Sequence, residues 1–111
     1  LQENRRRLRH ATKRAVTIGV GPRYLHSTGQ LHKGGTNRGV FFLITVEDEQ
    51  DVDIPARDYS FGILKEAQQF GDLKSLQDGN RPVVRLHIKG DIMIGLEKMD
   101  AAIAAAEAKI I

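Results

Sequence analysis

The chain has no cysteine and no tryptophan, and its aromatic residues are limited to Tyr24, Phe41, Phe42, Tyr59, Phe61 and Phe70. Without cysteine there are no disulfides and no thiolate metal ligands, a composition that suits the cytoplasm, which is the expected location. With so few aromatics, Leu, Ile, Val and Ala must fill most of any core. No apolar run approaches the ~20 residues needed to cross a bilayer, so no membrane partner is expected. The opening LQENRRRLRH lacks an apolar central region and does not read as a secretory signal peptide. Because the sequence begins at Leu1 rather than Met, it is expected to be a piece of a longer protein.

At 111 residues the chain holds one domain at most, 1–111. A globular chain of about this size buries roughly two-thirds of its unfolded surface, enough for one modest core. The net charge of +3 comes largely from Arg5, Arg6, Arg7, Arg9, Lys13 and Arg14, against Glu3 as the sole acid among the first fourteen residues. No interleaved aromatics accompany this basic cluster to stack on bases, so a solvated helix face is the expectation and nucleic acid is not an expected partner.

Hydrophobic spacing organises the rest. Leu1, Leu8, Ala11, Ala15 and Ile18 lie along one side of a basic N-terminal helix over 1–19, closed by Gly19. A polar stretch follows to Gly35. Val40–Val46, VFFLITV, reads as a strand buried on both faces, as in a parallel sheet. After an acidic loop, a helix starts at Asp58 or Ser60 with Phe61, Leu64, Ala67 and Gln68 along one side, with Gly71 expected to bend or restart it and Asp78-Gly79-Asn80 to end it. Val83–Ile88 reads as a second strand. Asp91 caps a C-terminal amphipathic helix over 91–111, whose seam is Ile92, Leu96, Met99, Ile103, Ala106 and Ile110. The order helix, loop, strand, helix, strand, helix is α/β, a fragment of a doubly wound parallel sheet. Two strands make a poor sheet, so missing upstream sequence, a second copy of the chain or a further short strand is expected to complete it.

Candidate chemistry concentrates in Gly21 to Gly35, GPRYLHSTGQLHKGG. Arg23 and Lys33 can hold phosphate or carboxylate, Ser27, Thr28 and Gln30 can bind hydroxyls, and His26 and His32 can move protons near neutral pH. As residue types alone these are equally compatible with a polar connecting loop. Gly19 to Gly21 lacks the third glycine and preceding strand of a dinucleotide site, there is no phosphate loop of the nucleotide-binding type, and the histidine spacings match no metal motif. No cofactor and no metal are expected. Lys65 beside Glu66 reads as half of a surface pair.

GPRYLHSTGQLHKGG, followed by GVFFLITV and YSFGILKEAQQFGDLKSL, resembles the C-terminal region of bacterial bifunctional transaldolase/phosphoglucose isomerases from about Ala11 to Ile88. The resemblance implies the last part of the second sugar-isomerase (SIS) subdomain, a doubly wound α/β unit, with a sugar-phosphate substrate and a homo-oligomeric enzyme. GQLHKGG is more distantly similar to ordinary phosphoglucose isomerases, which implies that His32 is a catalytic acid/base for opening the sugar ring. FGILK is loosely similar to their lysine-bearing helix, which implies a catalytic Lys65. Arg23, Ser27, Thr28, Gln30 and Lys33 would then bind substrate. Thr36 stands where a proline commonly follows HKGG. Neither the Ser/Thr-rich phosphate loop nor the glutamate base of the family is present in the chain, so the expected activity, interconversion of glucose 6-phosphate and fructose 6-phosphate, belongs to a larger isomerase to which this segment contributes part of the site. The alternative is a non-catalytic SIS-like module that binds a phosphosugar or dimerises.

Overall fold

In the computed structural model, residues 1–21 and 32–110 are described. They form a mixed α/β structure: helix α1 (Gln2–Thr12), strand β1 (Phe41–Val46), helix α2 (Phe61–Asp78), strand β2 (Val83–Ile88) and helix α3 (Ile92–Ile110). A single helical turn at 32–34 precedes β1. The two strands pair in parallel, Phe41 opposite Val83 through Val46 opposite Ile88, with α2 as their crossover. This is the strand–helix–strand unit that the spacing of the apolar runs implies.

Both crossover ends are built from local polar chemistry. Ser60 is the N-cap of α2, and its hydroxyl accepts from the Ile63 amide at 3.2 Å. Asp51 reinforces the same end: one carboxylate oxygen accepts from the Gly62 amide at 2.8 Å, and the other accepts from the Ser60 hydroxyl. A β-carbon on Gly62 would lie 2.7 Å from that carboxylate, so the cap itself demands glycine. Asp91 caps α3 by accepting from the amides of Met93 and Ile94 at 2.8 and 3.1 Å.

α2 covers one sheet face, where the Arg85 guanidinium lies over the Phe70 ring, 5.3 Å from its centroid. Thr45 and His87 are cross-strand neighbours on that face, joined at 2.7 Å. α3 reaches the other face at Ile88, against which Gly95 is set; a β-carbon there would meet Ile88 at 2.4 Å. Farther along, α3 carries α1: Asn4 donates to the Asp100 carboxylate, and Arg7 pairs with Glu107 at 3.3 Å.

Four expectations need correction. The first helix stops at Thr12 instead of Gly19, because Lys13 adopts the left-handed conformation (φ 56°, ψ 29°) and returns its amide to Arg9. Polar contacts from Asn4 and Arg7 tie α1 to α3, and the Val16-Thr17-Ile18 run beyond has poor helix propensity and no such polar contact among the described residues. The first strand is not buried on both faces, since Phe42 is exposed. Gly71 does not end and restart α2, which is one helix of 18 residues running through Gly71, with Asp72 and Leu76 buried just beyond it. Its inward stripe is Lys65, Gln69, Asp72, Leu73 and Leu76, leaving Phe61, Leu64, Ala67 and Gln68 exposed. Buried Leu76 and the ion-paired Lys65 and Asp72 lie together on that inward side.

The resulting core is small. Leu76 and Ile88 are the buried apolar residues among those described, together with polar Asn4, Thr45, Ser60 and Asp72. No helix among the described residues is long and apolar enough to cross a membrane.

Candidate functional site

The part of the glycine- and histidine-bearing stretch that can be described, His32 to Gly35, sits at the N-terminal end of the sheet and is held there by three elements. Phe41 opens β1 and packs its ring against the His32 imidazole, with centroids 5.3 Å apart and planes tilted by 55°. From α2, Asp72 receives the Lys33 ammonium at 2.6 Å. From the segment entering β2, Arg81 donates through Nε to the Lys33 carbonyl at 3.1 Å and through a terminal nitrogen to the Gly35 carbonyl. The turn is therefore fixed through its backbone as well as its side chains. Asn37 extends the anchoring by donating to the Asn80 carbonyl at 3.0 Å.

Electrostatically the two cations at this turn are compensated in different ways. Lys33 and Asp72 have side chains only 24% and 11% exposed, so their attraction is less screened than that of a surface pair. Arg81 is offset by carbonyl dipoles, and its second terminal nitrogen is buried without a hydrogen-bond partner among the described residues. His32 is half-buried and makes no hydrogen bond to another described residue. Of the described residues in the turn, its imidazole is the group whose polar atoms remain uncommitted.

Lys65 is elsewhere. Its ammonium pairs with Asp48, just past the C-terminal end of β1, whereas His32 touches the first residue of that strand. A strand of this length separates the two by roughly 20 Å, so one copy of the chain does not bring His32 and Lys65 to a common reacting atom. Arg23, Ser27, Thr28 and Gln30, like His26, lie outside the described residues. The structure thus joins His32 and Lys33 and holds Lys65 apart from them.

Two participants had no signal of their own in the sequence. Arg81 precedes Pro82 at a strand entrance, and Asp72 lies mid-helix beside Gly71; only the fold reveals that both close on Lys33. Asp51 is a third. Its carboxyl is held below its ordinary value of 3.8, chiefly by the Ser60 hydroxyl and then by the Gly62 amide, which makes it a committed helix cap rather than a free acid. Among the described residues no group of three or more His, Asp or Glu is arranged to hold a metal ion. A broad, shallow depression runs along Arg5, Arg6, Arg9, His10, Lys13 and Arg14, formed by α1 and the residues directly following it, away from the His32 turn.

No protein-family model, no curated protein and no solved structure matches the chain.

Proposed function

We propose that this chain is a segment of an aldose–ketose isomerase acting on glucose 6-phosphate and fructose 6-phosphate, the last part of a SIS-type subdomain. His32 is its proton-transferring group. The reading rests on the resemblance carried by GPRYLHSTGQLHKGG. The observation that supports it best is the uncommitted, half-buried imidazole of His32 in a turn fixed by Asp72, Arg81 and Phe41. A general acid/base must be oriented by its surroundings yet keep a nitrogen available to substrate, and those conditions meet at His32.

In this mechanism His32 delivers a proton to the ring oxygen as the sugar opens and recovers one as it closes. Arg23, Ser27, Thr28 and Gln30 bind the sugar's oxygens. Lys33, already paired with Asp72, acts by locking the turn. Lys65 then serves a site on another sheet edge or another copy, or only its pair with Asp48. The carboxylate base of the enediol step and the main phosphate grip come from outside this segment. No cofactor enters the reaction.

The test is turnover of fructose 6-phosphate by the isomerase containing this segment. His32→Ala is expected to lower kcat by about 10²- to 10⁴-fold, the usual contribution of a positioned acid/base, with little change in stability. An unchanged kcat would remove His32 from the mechanism.

A further inference from the structure

The positive charge of this chain is concentrated in one place. The first fourteen residues hold six Lys and Arg residues against one acid, while the rest of the chain holds 11 against 13 acids. α1 divides its own cations between two sides. Arg7 turns to α3 and pairs with Glu107, whereas Arg5, Arg6, Arg9, His10, Lys13 and Arg14 line the depression formed by α1 and the residues directly following it. Arg5 and Arg9 are four residues apart, so they share one stripe of the helix at a step of about 6 Å along its axis. Left-handed Lys13 then redirects the chain, and Arg14 and Ala15 line the same depression.

No acid lines the depression to neutralise it. Glu3 pairs with Arg6 at 3.6 Å, with both side chains largely exposed, and such a pair is weakly held. Arg5 donates through Nε to the neutral Gln2 side chain at 2.8 Å. Arg9, Lys13 and Arg14 form no ion pair with a described residue. The helix dipole offers about half a negative charge at this end, which leaves several cations without an internal counter-charge.

The form of the depression indicates what supplies that charge. Cations in succession along a concavity fit an anion whose charge repeats along a flexible strand. A bilayer surface is flat and does not enter a concavity, and duplex DNA, with a persistence length of about 50 nm, is too stiff to follow one of this size. Guanidinium forks match phosphate oxygens bidentately. Ala15 is the one apolar residue of the lining, a composition too polar and too basic for a protein–protein contact and suited to a nucleic-acid contact. The absence of aromatics near α1 excludes base stacking, but contact with phosphates requires none.

We infer that this depression binds the phosphodiester backbone of single-stranded nucleic acid through Arg5, Arg9, Lys13 and Arg14, without reading its bases. The inference is independent of the isomerase reading, because the depression lies away from the His32 turn and the binding requires no sugar-phosphate turnover.

Fluorescence anisotropy of short labelled oligothymidylate and oligodeoxycytidylate, titrated with the chain, tests it. Similar affinity for the two is expected. With four phosphates neutralised, affinity should fall roughly 50-fold between about 50 and about 200 mM salt, a log–log slope of about −3. Arg9→Gln combined with Arg14→Gln, both at exposed positions, is expected to reduce the slope to about −1.4 with unchanged far-ultraviolet circular dichroism. Arg57→Gln combined with Lys89→Gln removes the same charge from exposed sites elsewhere and is expected to leave the slope as it was. No binding by the wild-type chain at low salt, a strong preference for one base, or a slope untouched by Arg9→Gln with Arg14→Gln would overturn the inference. Tighter binding of a duplex, or displacement of the oligonucleotide by polyglutamate as readily as by unlabelled oligothymidylate, would overturn it equally and assign the depression to a duplex or an acidic protein.

Discussion

Asp51 and Ser60 show how single residues decide where this chain turns. Together they satisfy the Gly62 and Ile63 amides that a helix start would otherwise leave unpaired, so Ser60→Ala is expected to cost about 1 kcal/mol in urea denaturation. The same pairing gives stability a pH dependence. Asp51 titrates below its ordinary 3.8 in the folded chain because the Ser60 hydroxyl and Gly62 amide favour its charged form. Its contribution is therefore fully present above about pH 4 and lost as pH falls through the folded value. Asp51→Asn is expected to flatten the fall in melting temperature between pH 5 and pH 3; an equally steep fall would place the acid sensitivity on other groups. Asp72 acts at the same scale on the candidate site. Asp72→Asn leaves the half-buried Lys33 ammonium without its counter-charge and is expected to destabilise by about 1–2 kcal/mol in chemical denaturation. A double-mutant cycle with Lys33→Met would show coupling if the pair holds the turn.

At the level of elements, the sequence was most legible where local chemistry and hydrophobic period agree. VFFLITV and VVRLHI are continuous β-branched and apolar runs, and Ser60, Gly79 and Asp91 mark helix ends that form where such residues favour them. The extent of α1 was not legible, because Ala15 and Ile18 keep its period while left-handed Lys13 ends it and the side-chain bonds that tie it to α3 come from Asn4 and Arg7. Nor was the orientation of α2, whose inward side combines Leu73 and buried Leu76 with the ion-paired Lys65 and Asp72. Gly95 illustrates the same limit: within the sequence it is a helix weakener, yet in the fold it lets α3 approach Ile88. Gly95→Ala is expected to push α3 away from the sheet and cost about 1–3 kcal/mol, read as a lower urea midpoint at constant slope.

For the whole molecule, parallel α/β architecture followed from the element order, whereas the near-absence of a buried apolar core did not. Composition reports how much apolar material exists but not how much of it a two-stranded sheet can cover, and Phe42 and Val84 remain outside. The candidate site was legible as chemistry in His32 and Lys33 and illegible as geometry, because Asp72 and Arg81 reach the turn from 39 and 48 residues away in sequence. Its proposed role in opening a sugar ring is the central functional claim. The most direct measurement compares turnover of fructose 6-phosphate with turnover of an acyclic sugar phosphate that lacks the ring-closing hydroxyl, in the isomerase carrying this segment with and without His32→Ala. If His32 moves the ring-oxygen proton, the variant should lose about two to four orders of magnitude on the cyclic substrate and keep near wild-type turnover on the acyclic one. Equal losses on both substrates, or no loss on either, would contradict it.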